Sequence, residues 1–380
     1  MNHVTVVRSA GQHGVLPCVQ TSSDHLAPYT LQLPGPLFKG ICQSAVALLQ
    51  QAMAPERLAR ARQWVPKALL IGDAPDWCEF FAVDFAICEA AGTLNHRLIE
   101  LQAFPSLYAW AHSQEAALSY SAFGLAPLSE RRRALGQIVL GQTASADAVV
   151  MLDEAPLTQA TGFCFELMAR QYGISPQPLS NIVRRGNRLF YHSTKAGGAL
   201  QPIERIYNRL IVISPEQAAH CRELFLGAEV SFAGHPDWYY LLAKSMLPLL
   251  DDPSVLPCRM LHLPGDTIAP QQVIKPLFGY GGAGVVLNPA LTPADDLPRG
   301  PVLAQQRVEY APCVYLAPED LSLCLEVRAL CLWPKGAPSP QISGLMGRTS
   351  IEGMVSATRQ RHPLAGACLV TGPAAIGRGE

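Results

Sequence analysis

A lysine followed by a cluster of glycines is the strongest chemical signal in the sequence. The segment 273–287, VIKPLFGYGGAGVVL, carries a lysine on a β-branched strand and then four glycines within six residues. Glycine has no Cβ, so backbone N–H groups can approach an anion closely, and a lysine ammonium adds a charge for phosphate oxygens. The order differs from the GxxxxGK[ST] phosphate loop, and a strand rather than a helix follows. The alternative is a ligand-free hairpin turn. We predict a nucleotide-phosphate site at Lys275, Gly279, Gly281, Gly282 and Gly284.

Two further segments are candidates to complete a nucleotide site. Lys244 lies in an otherwise apolar helical run, 240–250. A buried lysine needs an anionic partner, which a phosphate would supply, whereas the alternative is a lysine on a solvated helix face. The strand 302–309 ends in polar residues that suit contact with a purine edge, with Gln305, Gln306 and Val308 as candidates. An ordinary strand end is the alternative there.

A predicted antiparallel hairpin supplies candidate metal ligands. Its strands are 79–87 and 97–102, joined by a turn at 89–95. Asp84 lies among apolar residues, and Glu100 and Gln102 are two positions apart, so they point to one face. Mg²⁺ takes hard oxygen ligands from carboxylates and phosphates. The sequence therefore predicts a magnesium site, while pairing of both carboxylates with arginine stays open as the alternative.

The elements that position these residues indicate a mixed α/β (α+β) protein. A helical run at 44–64 precedes the hairpin, and a strand at 148–152, a helix at 161–172 ended by Gly173 and a strand at 202–213 suggest a small α/β lobe. We predict five segments: 1–75, of unassigned role; 76–125, the metal-binding hairpin region; 126–215, the α/β lobe; 216–360, the nucleotide-binding region; and 361–380, an irregular tail.

Composition limits the possible partners. The 380 residues are 49% hydrophobic and 16% charged, and 29 basic against 30 acidic residues give a net charge of −1. This balance gives no electrostatic reason to expect nucleic acid or an acidic membrane surface. The N-terminus lacks a signal pattern, and no apolar run approaches the roughly 20 residues that span a bilayer. We expect a soluble, cytoplasmic protein. The 11 cysteines include no CxxC pair, so we expect mostly reduced core thiols.

Four blocks of the sequence resemble the circularly permuted ATP-grasp ligases, of which glutathionylspermidine synthetase is the best-known example. The blocks span about residues 79–350. They are Asp84-Phe85 with 98–102 (LIELQ), similar to the magnesium-binding strands; 244–250 (KSMLPLL), similar to a Lys-x-x-Leu-Pro helix; 275–285, similar to the lysine strand and phosphate loop; and 343–348 (SGLMGR), similar to an arginine-bearing strand. A closer resemblance, through 99–107 (IELQAFPSL) and 205–209 (RIYNR), is to uncharacterised ATP-grasp proteins.

The resemblance implies a permuted ATP-grasp fold with a small Rossmann-like pre-ATP-grasp lobe. It implies ATP with Mg²⁺, or Mn²⁺, and a ligase that joins a carboxylate to an amine through an acyl phosphate. Its substrates would be small molecules such as an amino acid, a small peptide or a polyamine. A kinase or a non-catalytic nucleotide-binding protein is the alternative.

The chain departs from the family pattern at three places. Gln102 replaces an asparagine, Ala82 replaces a catalytic arginine, and Tyr280 and Gly281 replace an Arg-Glu pair. The acyl-phosphate site therefore needs charge from elsewhere in the chain. The candidates are Arg205, Arg209, Arg328 and Arg348.

Overall fold

The computed structural model has a mixed α/β architecture with four separate sheets. It describes residues 4–7, 26–72, 77–117, 124–159, 161–194, 196–263, 266–279, 281–298, 300–351 and 362–373. Tyr280 and parts of the predicted N-terminal segment and tail lie outside these ranges. Within them, the coarse prediction of an α/β protein is confirmed.

Strands dominate the described part of the chain. They are β1 Thr5–Val7, β2 Leu26–Gln32, β3 Phe80–Ala90, β4 Thr93–Ala103, β5 Val149–Asp153, β6 Ser175–Pro178, β7 Ile182–Arg185, β8 Arg188–His192, β9 Leu200–Ile203, β10 Arg205–Asn208, β11 Ser231–Ala233, β12 Cys258–Leu263, β13 Gln272–Pro276, β14 Gly300–Gln306, β15 Val314–Leu316, β16 Leu321–Leu332, β17 Gln341–Ser350 and β18 Ala367–Thr371. The α-helices are α1 Gly35–Ala52, α2 Pro55–Arg62, α3 Tyr108–Ala117, α4 Leu128–Leu140, α5 Gly162–Tyr172, α6 Pro215–Phe225 and α7 Trp238–Leu241.

The largest sheet has the order β1-β2-β18-β17-β16-β3-β4, with β15 beside β16. Its pairs are antiparallel except β2 with β18. Strands β3 and β4 form the predicted hairpin, turning at Ala91 and Gly92, whose positive φ values suit a tight hairpin turn. On β3, Phe80 to Ile87 are fully buried, and helices α1 and α3 pack against neighbouring strands of this sheet.

The second sheet, β11-β10-β5-β6, is entirely parallel. Helix α5 connects β5 to β6, and α6 connects β10 to β11, as expected for crossover connections between parallel strands. Gly173 adopts the left-handed conformation that ends α5, as predicted. This parallel sheet therefore includes β11, which lies beyond residue 215.

The two remaining sheets are three-stranded and antiparallel. One has the order β7-β8-β9 and belongs to the insertion between β6 and β10. The other, β12-β14-β13, carries Lys275 and Gln305 and abuts β4 through hydrogen bonds to its backbone. This contact brings the lysine-bearing strand onto the hairpin.

Several local predictions are wrong. The predicted helical run 240–250 is two pieces, α7 and a 3-10 helix Lys244–Leu249, because the chain leaves helical geometry at 242–243. The predicted strand 202–213 becomes the end of β9 and then β10, which lie in different sheets. The strand expected after the glycine loop is a single bridge between Val286 and Ile274. Part of the predicted irregular tail is β18, which is buried in the large sheet.

Two global expectations concern membranes and thiols. Within the described ranges, no helix combines the length and apolarity needed to cross a membrane. The ten cysteines in these ranges are free thiols. Burial raises the pKa of most of them, for example to about 12 at Cys42 and at Cys221, which is the behaviour of unreactive core residues.

Candidate active site

A continuous polar network lies on one face of the large sheet. Its charged members come from four adjacent strands, β4, β3, β16 and β17. In the register, Asp84 lies opposite both Glu100 and Arg328, and Glu326 lies opposite Arg348. Because side chains alternate between the faces of a strand, these side chains all point to the same face of the sheet. Asp84 and Glu100 therefore lie side by side, as predicted.

Asp84 is the centre of this network. Its side chain is fully buried and accepts two hydrogen bonds from Arg328, at 2.7 Å from Nε and 2.6 Å from Nη2. Arg348 donates a third at 2.8 Å. Burial alone would raise the pKa of Asp84, but the two guanidinium groups outweigh it and lower the pKa. The structure therefore gives Asp84 the arginine pairing that the sequence had left open as an alternative.

Glu100 and Gln102 lie at the edge of the network nearest to the lysines. The Gln102 amide donates to Glu100, lies 3.5 Å from an Asp84 oxygen, and accepts from Arg328 at 3.2 Å. The other Glu100 oxygen is 3.4 Å from Lys244 Nζ. All three proposed metal ligands thus meet in one place. Among the described residues, however, no group of three or more His, Cys, Asp or Glu side chains is arranged to hold a metal ion.

Lys244 is buried, as the phosphate-binding interpretation requires, and it touches the glycine loop. Its ammonium donates to the Gly279 carbonyl at 2.7 Å and faces Glu100. The lysine begins a 3-10 helix whose apolar residues pack in the core. Its charge is therefore held at the junction of the hairpin and the loop.

Lys275 is also buried, and a bulge in β4 explains how it is held. Ile99 is an extra residue between the pairs Asp84–Glu100 and Phe85–Leu98, and such bulges free backbone groups from the ladder. Lys275 Nζ lies 3.3 Å from the Ile99 carbonyl and 2.7 Å from Gln305 Oε1. Burial lowers the pKa of Lys275 to about 8, with Lys244 adding to the shift.

The remaining nucleotide candidates fall into two groups. Gln305 is buried; its amide oxygen accepts a hydrogen bond from Lys275 and its amide nitrogen donates to the Leu98 carbonyl. Gln305 therefore positions the lysine. Gly281, Gly282 and Gly284 lie in an exposed loop with φ of 62°, 76° and 69°, a conformation that glycine adopts at low cost. Gln306 is exposed and Val308 half-buried at the end of β14.

The four candidate arginines have different environments. Arg328 and Arg348 belong to the network. Arg209 follows β10 and lies close enough to Arg328 for that charge to lower its pKa, after the larger effect of burial. Arg205 is instead tied to Glu79 at 3.0 Å and to the Ile138 carbonyl at 2.7 Å, so its interactions are those of a structural link between β10, α4 and β3.

Sequence reasoning missed Glu326 and Tyr310. Glu326 is buried, pairs with Arg348 and lies 3.3 Å from the Tyr310 hydroxyl. Burial raises the pKa of Glu326 to about 7 against the opposing effect of Arg348, with Asp84 adding to the rise. The signal was present, because Glu326 and Arg328 are charged residues two apart in the apolar strand 321–332, the same alternation that marked Glu100 and Gln102.

Comparisons with known proteins add one finding about the fold. No protein-family model matches the chain, and no curated protein matches it. Among solved structures, a glutathione synthetase-like effector from Globodera pallida, determined in its apo form, is similar to 94% of this chain and 93% of that one. The TM-score is 0.56 and the sequence identity 12%. The chain therefore shares its fold with a glutathione synthetase-like protein.

Proposed function

We propose that the chain is an ATP-dependent carboxylate–amine ligase of the ATP-grasp type. The observation that carries this proposal is the convergence of Lys244, Arg328 and Arg348 on one acidic network, with Lys275 buried beside it against β4 and a glycine loop adjacent to it. Likeness in fold to a protein described as glutathione synthetase-like supports it. The metal-region hairpin precedes the phosphate loop in the chain, which is the order of the circularly permuted ligases.

In this proposal the two lysines bind the nucleotide phosphates. Both are buried, and burial in a low-dielectric site strengthens their attraction for an anion. The exposed loop 281–284 would close over the phosphates with its backbone N–H groups. The purine would lie near the end of β14, where Gln306 and Val308 remain candidates for contact while Gln305 holds Lys275.

The donor set partly fits Mg²⁺ or Mn²⁺. Glu100 and Gln102 present a carboxylate and an amide oxygen next to the phosphate-binding lysines, and Mg²⁺ commonly uses only one or two protein carboxylates besides phosphates and water. These two residues would hold the ion. Asp84 fits this role less well, because both of its oxygens already bind guanidinium groups. When bound, the metal would neutralise charge on the terminal phosphates.

The chemistry follows from this placement. A substrate carboxylate oxygen attacks the γ-phosphorus, the bond from that phosphorus to the β,γ-bridging oxygen breaks, and ADP leaves. Arg328 and Arg348, fixed by Asp84, stabilise the acyl phosphate. Arg328 also reaches Gln102, which lies opposite Ala82, so it supplies charge where the family has another arginine.

An amine then attacks the acyl carbon and expels phosphate. The attacking nitrogen must lose a proton for the amide to form. Glu326 lies beside Arg348, and its pKa near 7 suits acceptance of that proton at neutral pH.

A substrate-dependence assay tests this function. Release of ADP and phosphate is measured with ATP and panels of amino acids, small peptides and polyamines, alone and in pairs. A ligase requires both an acid and an amine, and its product mass equals their sum minus water. A kinase would release ADP with one substrate and give a phosphorylated product. A nucleotide-binding protein without turnover would bind ATP and release nothing.

A further inference from the structure

Arg209 lies where open parallel sheets usually bind ligands. From β5, the chain runs through α5 to β6 on one side, whereas β10 and then β11 lie on the other. The carboxyl ends of β5 and β10 therefore form a topological switch point, and crevices at such points bind ligands. Arg209 directly follows β10, and its backbone N–H donates to Leu152 of β5 at 2.8 Å.

Two nitrogens of the Arg209 guanidinium lack a hydrogen-bond acceptor within the described residues. Its Nε and Nη1 atoms are buried without a hydrogen-bond partner there, although the residue as a whole is partly exposed. Arg205, four positions earlier, contrasts with it, because its nitrogens bond to Glu79, Ser231 and the Ile138 carbonyl. Asp153 attracts this charge, yet the Nε–H and Nη1–H groups have no acceptor among the described residues, so they can bind an anion from outside the protein.

The surroundings of Arg209 separate it from the phosphate-binding lysines. The groups that bear most on its guanidinium are Tyr207, Asp153 and Cys164 of the parallel lobe, and Arg328 of the network. Arg328 would hold the reacting end of the acid. Arg209 itself follows β10 of the parallel sheet, so an anion bound there would lie at the end of that sheet. A guanidinium with free N–H groups matches the geometry of a carboxylate.

We propose that Arg209 binds a second, non-reacting carboxylate, so that the preferred acid substrates are dicarboxylates. The inference rests on the proposed function for the identity of the reacting end. One carboxylate of the acid meets Arg328 and Arg348, and the other meets Arg209 at the switch point. A monocarboxylate of equal length would leave the Arg209 charge unmatched.

Calorimetry on the nucleotide-free protein tests this inference with length-matched acids. Succinate is compared with butyrate, and glutarate with valerate. We expect the wild-type protein to bind a dicarboxylate at least about tenfold more tightly than its partner, since each 1.4 kcal/mol corresponds to tenfold. Arg209→Gln should abolish the preference. Arg170→Gln, which removes an exposed charge from helix α5 of the same lobe, should retain it.

Thermal unfolding provides a second readout that does not depend on calorimetry. Succinate should raise the melting temperature of the wild-type protein and of Arg170→Gln more than butyrate does, whereas the two acids should act equally on Arg209→Gln. Without ligand, Arg209→Gln should melt no lower than wild type, because it removes a buried charge whose Nε–H and Nη1–H groups have no acceptor among the described residues. Equal affinity for the paired acids, absence of binding, or a preference that survives in Arg209→Gln would overturn the inference.

The binding assays contain no ATP, so they are independent of turnover. Selective dicarboxylate binding without acid-dependent ADP release would count against the ligase function and leave the Arg209 site standing. Ligase activity without a preference for dicarboxylates would support the ligase function and count against the Arg209 site.

Discussion

Replacing Asp84 by asparagine should destabilise the protein strongly, even when no nucleotide or metal is present. The substitution keeps the size of the side chain but removes the charge that Arg328 and Arg348 share. Asp84 is fully buried, and three hydrogen bonds of 2.6–2.8 Å connect it to the two guanidinium groups. Removing one member of a buried ion pair typically costs about 3–5 kcal/mol. Arg348 keeps Glu326 as a partner, so we expect a loss within that range rather than twice it.

Urea unfolding in the presence of EDTA measures this loss. EDTA removes any contribution from a bound metal ion, so the assay isolates the arginine pairing. Asp147→Asn, at an exposed position, is the matched control and should change the free energy of unfolding by less than about 0.5 kcal/mol. The transitions are compared at equal slope, since a changed slope would signal a different unfolding reaction.

The pH dependence gives the sign of the effect. The pKa of Asp84 is lower in the folded protein than the ordinary value of 3.8, so its stabilisation is present above that value and is lost as the pH falls below it. The difference between wild type and Asp84→Asn should therefore shrink on acidification. A difference in the free energy of unfolding below about 1 kcal/mol at pH 7 would refute the reasoning, because removing one member of a buried ion pair costs more than that.

Three further predictions concern the proposed chemistry. Lys275→Ala should weaken ATP binding by at least about tenfold in calorimetry, since a hydrogen bond to a charged group contributes about 1.5–3 kcal/mol. The ATP affinity of the wild-type protein should fall above pH 8 as this lysine deprotonates, whereas that of Lys275→Arg should not. Undiminished ATP affinity in Lys275→Ala would remove the lysine from the site. Glu100→Gln should lose most turnover and recover part of it at raised Mg²⁺ or Mn²⁺; activity that is low and indifferent to metal concentration would argue against its role as a ligand. Arg348→Lys should lower kcat at least about a hundredfold while the Kd for ATP changes less than threefold, because the proposed role of this arginine is to hold the acyl phosphate. A normal kcat in this variant would contradict that role.

Local patterns in the sequence predicted the hairpin and the convergence of its polar residues. The apolar run around Asp84 and the two-residue spacing of Glu100 and Gln102 are properties of single strands, and a strand alternates its faces whatever its neighbours are. The helix ended by Gly173 is another local feature with a local cause. These are the parts that sequence reasoning recovered.

The pairing of distant strands could not be predicted in this way. Strand β16 joins β3 from 244 positions away at the pair Arg328–Asp84, and no local pattern specifies that partner. For the same reason the sequence named four candidate arginines, with Arg348 first among them, but could not show which of the others lie near it. Only the tertiary structure distinguishes Arg205, which forms an ion pair with Glu79, from Arg209, whose Nε and Nη1 atoms have no hydrogen-bond partner among the described residues.

Lys244 shows how tertiary packing overrides a local pattern. Its apolar neighbours suggest a continuous helix. In the structure the helix is interrupted before Lys244, and the Lys244 ammonium lies beside Glu100 and the Gly279 carbonyl. The end of the chain was misjudged for a related reason. Its Gly, Ala and Pro content suggested irregular structure, but Ala367–Thr371 pairs with both β17 and β2 and is stabilised by those neighbours.

The products of ATP cleavage distinguish a ligase that forms an acyl phosphate from an enzyme that forms an acyl adenylate. Once an acid substrate has been found by ATP consumption, the reaction is run with hydroxylamine in place of the amine, and the nucleotide and acyl products are identified by mass. In the proposed site, the lysines, the metal ligands and the glycine loop would surround the terminal phosphates and leave the γ-phosphorus open to in-line attack. The proposed ligase mechanism therefore predicts ADP, phosphate and the hydroxamate of the acid in equal amounts. Formation of AMP and pyrophosphate would contradict it, because that outcome requires attack at the α-phosphorus.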